Sequence, residues 1–188
     1  WKKDNIFFDS ADEYAQISQT ARYYIGGILD HLNSILLFTL PTVNSYKGLC
    51  SKNVISGWSA SNENSSIFVP NSKIGDRFKK RVSFNLSDPS VNPYLAFSSL
   101  VSAGLDGIKH KIEPGSPSEK DKDNKHSKNL RLPKNLGDSI ENFMSDAKFI
   151  KTILSSEMIE EYLSTKKNEW KEHQNKLTQW EFVKYFDV

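Results

Sequence analysis

Residues Arg81 to Gly115 read RVSFNLSDPSVNPYLAFSSLVSAGLDGIKHKIEPG, and this stretch decides the fold. It opens as a strand whose alternate side chains, Ser83 and Asn85, are small and neutral. Asn92-Pro93 then starts a helix. Asparagine supplies an oxygen to free backbone N–H groups, and proline at the first helical position has no N–H to leave unpaired. Leu95, Ala96, Ser99, Leu100 and Ala103 form one face, and Gly107 is placed to close the helix in the left-handed conformation.

Upstream, Ile67-Phe68-Val69 reads as a second strand, with Gly75-Asp76 in the turn-like segment between the two, so an antiparallel pair is predicted. Lys79, Lys80 and Arg81 stand at the start of the later strand. Thr42 to Ser66 is rich in Asn, Ser and Gly, with Tyr46 and Trp58 as aromatic anchors. Before it, Ser18 caps a helix in which Ala21, Ile25, Ile28, Leu29, Leu32, Ile35 and Leu36 recur at helical spacing until Pro41 ends it. Gly26-Gly27 costs that helix about 1 kcal/mol per glycine relative to alanine, a cost usually offset by close approach of another backbone. Ile6-Phe7-Phe8 fits a hairpin arm or loop.

Downstream, residues 113–135 contain PGSPSEKDKDNKHSK, a charged, Ser/Pro-rich stretch without periodicity that reads as a mobile surface loop. Acidic residues interrupt its lysines and no aromatics interleave, so it does not read as a nucleic-acid patch. Residues 138–188 form a helical tail, predicted over about Asp138 to Ser145, Asp146 to Leu154 and Ser156 to Asn175. The third of these carries Met158, Ile159, Tyr162, Leu163 and Trp170 on one side. Thr178-Gln179-Trp180-Glu181 is a capping box opening a final short helix. Trp180, Phe182, Val183, Tyr185 and Phe186 crowd that end, a concentration of apolar groups that calls for a covering surface.

The 188 residues suit one domain or part of a larger one. Twenty-five basic and 23 acidic side chains give a formal charge of +2, no global reason to expect nucleic acid or an anionic membrane. One cysteine, Cys50, cannot form an internal disulfide. No apolar run approaches the ~18 residues of a membrane span, and Trp1-Lys2-Lys3-Asp4 does not open a signal peptide. A cytoplasmic protein is expected. No P-loop, GxGxxG, HExxH or zinc-type cysteine spacing occurs, and His31, His110, His126 and His173 are scattered, each expected as an isolated surface group.

ARYYIGGILDHL (Ala21 to Leu32), PTVNSYKGL (Pro41 to Leu49), GWSASN (Gly57 to Asn62), DPSVNPYLAF (Asp88 to Phe97) and AGLDGIKHKIEPG (Ala103 to Gly115) follow one another in order. Together they resemble the C-terminal catalytic domain of the glutamine synthetase family, and the ending EFVKYFDV resembles the tail of its bacterial-type, class I members. The resemblance covers nearly the whole chain. It implies an α+β fold, the C-terminal part of an antiparallel sheet funnel with packed helices, closed by a neighbouring subunit. It also implies two stacked hexameric rings, a homo-oligomeric dodecamer, in which the C-terminal helix of one subunit inserts into the facing ring. The N-terminal β-grasp domain and the upstream metal ligands of the family are expected to be absent from this chain.

The family joins ATP, glutamate and ammonia through a γ-glutamyl phosphate, using Mg²⁺ or Mn²⁺ and arginines to offset the crowded negative oxygens. Residue by residue, that chemistry is replaced. In NSYKR, the arginine that grips glutamate is Gly48. The loop that normally reads VPGYEAP spans Cys50 to Ser56, and near Val54 no glutamate is present to deprotonate ammonium. In WSxRNRS, Ser61 and Glu63 stand for the two arginines. In RIELRxPDP, Ser83 occupies the metal-ligand position and Asn85 that of the arginine facing the phosphoryl group. Arg81 is kept, and with Lys79 or Lys80 it falls on the nucleotide side. Serine is a poor ligand for a hard divalent cation, and asparagine brings no charge to a phosphate. The residues that build the scaffold remain: Gly26-Gly27, Asp88-Pro89, Asn92-Pro93 and Gly104 to Gly107. The resemblance therefore implies a catalytically degenerate homologue with a structural or regulatory role in a ring, alone or with an active paralogue. The alternative is an active ATP-dependent glutamate–ammonia or glutamate–amine ligase with a displaced site.

Overall fold

The structure is a computed structural model, and it describes residues 5–51, 54–71, 77–118 and 131–186. Seven α-helices and three strands lie within these residues: α1 Gln19–Asp30, α2 Leu32–Thr39, α3 Val43–Ser51, β1 Ile55–Ser59, β2 Ser65–Phe68, β3 Ser83–Phe84, α4 Pro93–His110, α5 Leu136–Ser145, α6 Ser156–Asn175 and α7 Gln179–Tyr185. The sequence pattern predicts one helix from Ser18 to Pro41, and the structure divides it. The Ser18 hydroxyl accepts from the Ala21 N–H as expected, but the backbone leaves helical geometry at His31 and starts again as α2. The bend lets α2 bury almost all of its circumference, from Leu32 to Thr39, between α4, α5 and α6.

Helices α1 and α4 cross at backbone contact. A Cβ built on Gly27 would lie 2.1 Å from the Ala103 carbonyl oxygen, and one on Gly107 would lie 2.2 Å from that of Tyr23. This corrects the expected role of Gly107. It does not end α4, because it is needed bare against α1. The helix continues to His110, and Lys111, with φ 55°, takes the left-handed position instead. Asn92 opens α4 as predicted, its side chain accepting from the N–H groups of Tyr94 and Leu95.

The stretch read as an Asn/Ser/Gly-rich connection holds α3 and β1. Thr42 and Ser45 cap α3 reciprocally, each side-chain oxygen accepting the other's backbone N–H. Tyr46 and Trp58 are fully buried, as their reading as anchors required. The sheet runs β1-β2-β3. Its β2–β3 pair is antiparallel, with Ile67 opposite Phe84 and Phe68 opposite Ser83, but β1 and β2 are parallel, so this part of the fold carries a mixed sheet rather than the antiparallel one expected. The connection Ala60–Asn64 returns beside β1, the Ser59 hydroxyl accepting from the N–H groups of Ser61 and Asn62.

An isolated bridge between Phe8 and Ile17 forms the expected N-terminal hairpin arm, and Phe7 packs on Tyr24. Beyond α4 the chain is tied to β1: Trp58 Nε1 donates to the Gly115 carbonyl, and the Ser118 N–H donates to the Trp58 carbonyl. Residues 119–130 of the charged stretch, the Gly75-Asp76 turn and Trp1 to Asp4 lie outside the described residues. In the tail, α5 begins at Leu136 on the Asn135 cap. The segment predicted helical after it holds only a 3₁₀ turn, Phe149–Thr152. α6 spans the predicted residues, with Ile159 buried and Tyr162, Leu163 and Trp170 packed on the core. In α7 both bonds of the capping box form, and none of its residues is buried.

Candidate functional site

Two clefts meet at the end of β3. One, of about 670 Å³, is lined by Ala60, Ser61 and Glu63 of the β1–β2 connection, by Phe68, Pro70 and Asn71 at the end of β2, and by Arg81, Ser83 and Asn85. The other, of about 530 Å³, lies between the start of α3 and the segment after β3 and is lined by Asn44, Gly48, Asn85 and Asp88 among others. Asn85 borders both. The structure thus brings Ser61, Glu63, Arg81, Ser83 and Asn85 together and puts Gly48 across Asn85 from them.

Strand register places these side chains. Ser83 pairs with Phe68, and the Asn85 N–H donates to the Ser66 carbonyl. The Asn85 carboxamide is fully engaged as a donor, with Nδ2 3.0 Å from the Glu63 carbonyl oxygen and 2.9 Å from that of Ser65. It pins the β1–β2 connection to β3. A Cβ on Gly48 would meet nothing within 4 Å, so this position is open to a larger side chain.

Three of the expected site residues stand apart. Val54 packs against the core. Lys79 lies exposed on the 3₁₀ turn Arg77–Lys79. Lys80 is 4% exposed and donates from Nζ to the Pro70 carbonyl at 3.1 Å, while its own carbonyl accepts from Asn5. Burial holds the Lys80 pKa below its ordinary value, only partly opposed by the carboxylate of Asp12. Lys80 fastens the N-terminal arm and the end of β2 rather than facing a cleft.

The larger cleft offers one carboxylate, Glu63, beside hydroxyls, amides and one guanidinium. Among the described residues no three His, Cys, Asp or Glu side chains are grouped to hold a metal ion. That donor set does not fit Mg²⁺ or Mn²⁺, which take several hard, charged oxygens. No step through a metal follows from this chain.

The histidines differ from expectation at one position. His31 is 8% exposed and lies between two carboxylates, Asp146 at 2.7 Å from Nδ1 and Asp106 at 3.1 Å from Nε2. Its spacing after Ile28 and before Ile35 places it on the buried stripe of the helical pattern, the one signal in the sequence that marks it. His110 is exposed beside Asp106, His173 stacks on Trp170, and His126 lies outside the described residues.

Helices packed on a small mixed sheet, with a polar cleft at the strand ends, define an α+β catalytic-domain fold. The model of the glutamine synthetase catalytic domain matches residues 1–185. Glutamine synthetase of Sulfolobus acidocaldarius is 37% identical over 198 residues, covering 100% of this chain and 42% of that protein. That of Archaeoglobus fulgidus is 38% identical, covering 97% and 38%, and that of Streptomyces coelicolor 38%, covering 100% and 42%. A solved structure described as apo GmaS without ligand is similar with a TM-score of 0.81 at 28% identity, covering 98% of this chain and 42% of that one. The chain belongs to the glutamine synthetase family. It spans about two fifths of the length of the curated relatives it matches.

Proposed function

We propose that this chain is the C-terminal portion of a catalytically degenerate glutamine synthetase-type subunit that keeps the fold for a structural or regulatory role. In this reading it belongs to a cytoplasmic ring oligomer, two stacked hexamers of itself or of itself with an active paralogue. The observation that carries the reading is the cleft at β3. There Ser83 presents a hydroxyl, and Asn85 spends its carboxamide on the carbonyls of Glu63 and Ser65. The resemblance puts a metal ligand and a phosphate-facing arginine at those two positions. Removing one preorganised contact of this kind typically costs about 2.7–4 kcal/mol of barrier. Several such losses do not simply add, but together they leave no useful ligase activity. Of the three basic residues on the nucleotide side, only Arg81 lines the cleft, since Lys80 is committed to Pro70 and Lys79 stands outside the lining.

A second reading, an active ATP-dependent glutamate–ammonia or glutamate–amine ligase, is favoured by the identity of 36–38% to relatives named glutamine synthetase along the chain. One set of measurements on the intact protein separates the two. The degenerate reading expects no detectable ATP-dependent glutamine formation. It also expects titration calorimetry to show Mn²⁺ binding no tighter than about millimolar, the range of weak hard-cation sites. Glutamine formation that survives replacement of Gly48, Ser61, Glu63, Ser83 and Asn85 means that the reaction proceeds at a displaced site.

A further inference from the structure

His31 lies at the bend between α1 and α2, away from both clefts, and three other segments converge on it. Asp106 comes from α4, Asp146 caps the end of α5, and Phe149 opens the 3₁₀ turn that follows. The Phe149 ring stacks on the imidazole at 4.3 Å, with 18° between the planes. The charged and titratable groups facing His31 are Asp106, with His110 behind it on α4, and Asp146. From α2 the Ser34 hydroxyl also donates to Asp146 Oδ2, at 3.1 Å.

The geometry sets the proton count. A neutral imidazole carries one N–H and one lone pair. Here both ring nitrogens lie within hydrogen-bond distance of a carboxylate oxygen, so in the neutral form one lone pair would face a negative oxygen. Only the imidazolium donates to both. The charged ring also lies flat against Phe149, where the aromatic face favours a cation.

We infer that His31 is a proton-operated latch. As an imidazolium it clamps α4 and the end of α5 to the α1–α2 bend, and on losing its proton it releases Asp146 and the segment that runs from it to Leu154. Asp146 is the arm that opens because its side chain is 39% exposed against 25% for Asp106, so water takes over its bond at less cost. The neutral ring then keeps Nε2–H on Asp106. The released segment carries Phe149 and Ile150, both buried, and leads directly into α6. The latch therefore governs how firmly the C-terminal helices are held to the rest of the chain.

The direction of the pH response follows. Burial alone would lower the His31 pKa, but the Asp146 and Asp106 carboxylates outweigh it and hold the value above the ordinary 6.5. The group is thus more basic folded than unfolded. Its contribution is complete below the unfolded pKa and is lost as pH rises through the folded one. On the acid side the Asp106 arm persists, because His31 and His110 outweigh burial at Asp106 and keep its carboxyl below the usual range.

Imidazole C2–H exchange followed by mass spectrometry on the intact protein, between about pH 5 and pH 10, reads each histidine separately. Amide exchange of peptides within residues 146–154 is recorded alongside. The His31 midpoint is expected above its value in the denatured protein. Amide exchange in 146–154 is expected to accelerate severalfold beyond intrinsic base catalysis as pH passes that midpoint. Asp146→Asn keeps the shape of the site and removes one charge, so it should lower the midpoint and leave 146–154 open at neutral pH. A His31 midpoint at or below the denatured value overturns the latch. So does amide exchange in 146–154 that follows intrinsic catalysis alone.

Discussion

The Asn85 carboxamide donates to the Glu63 carbonyl across 22 residues of sequence, at 3.0 Å, with the Ser65 carbonyl as its second acceptor at 2.9 Å. An uncharged side chain just after β3 thereby fixes the wall of the larger cleft. Asn85→Ala should lower stability to urea by about 1 kcal/mol, since the site is exposed and water partly replaces the two bonds. Asn85→Asp is nearly isosteric but turns a donor into a carboxylate facing two carbonyl oxygens. It should cost more than the alanine, and equal losses in the two variants would show that the bonds do not hold the connection.

Two glycines give opposite expectations. Gly27→Ala places a methyl 2.1 Å from the Ala103 carbonyl oxygen and 2.6 Å from the Gly107 nitrogen, so α1 and α4 must separate. A loss of about 3 kcal/mol or more is expected, at or beyond the usual range for overpacking. Gly48→Arg meets open space and should leave the thermal midpoint within a degree or two of the parent, about 0.5 kcal/mol at most. A folded Gly48→Arg protein that is still inactive would fit the loss of several charged groups rather than one.

Asp12 supplies an acid-side dependence. Its carboxylate accepts from the N–H groups of Ala15 and Ile17 and pairs with Arg22, closing a turn in which Gln16 has φ 52°. Burial pushes its pKa up, but the two N–H groups and Arg22 outweigh it and hold the value below 3.8. A depressed carboxyl contributes stability that is present above the unfolded pKa and is lost as pH falls through the folded one. Asp12→Asn should therefore lower the melting temperature at neutral pH, by about 2 kcal/mol in stability, and flatten its decline below about pH 4. An unchanged acid limb in the variant would assign that limb to other carboxylates.

The tail tests assembly. Trp180, Phe182, Val183, Tyr185 and Phe186 are all more than half exposed, while Trp180 and Tyr185 meet edge to face within the tail itself. Deleting Trp180 to Val188 should leave the melting temperature nearly unchanged but reduce the particle mass by light scattering as rings separate. An unchanged mass would mean that these side chains do not join subunits.

Local rules made much of the helical framework legible. Ser18, Asn92 and Thr178 each cap a helix through a bond to a residue two or three positions on, so the information lies within a single turn. Thr42 and Ser45 carry the same kind of signal, yet α3 was obscured by the Asn, Ser and Gly around it. The β2–β3 pair could be read because both strands lie in short apolar runs separated by residues of turn-forming type in the sequence. The resemblance to the family was legible as ordered strings, and the match of the glutamine synthetase catalytic-domain model to residues 1–185 bears it out.

By itself, the sequence determined which residues can start helices and that the Gly26-Gly27 pair calls for a close backbone neighbour. Only the tertiary structure showed that α1 ends at His31, where the side chain meets carboxylates 75 and 115 residues away. It decided that α4 runs past Gly107, because that glycine's bare face is taken by α1 rather than by a turn. It also decided that β1 joins β2 in parallel and that Asn85 reaches back to Glu63. Each of these outcomes is set by groups far apart in sequence that must share one small volume, and no residue pattern within a few positions records such a meeting.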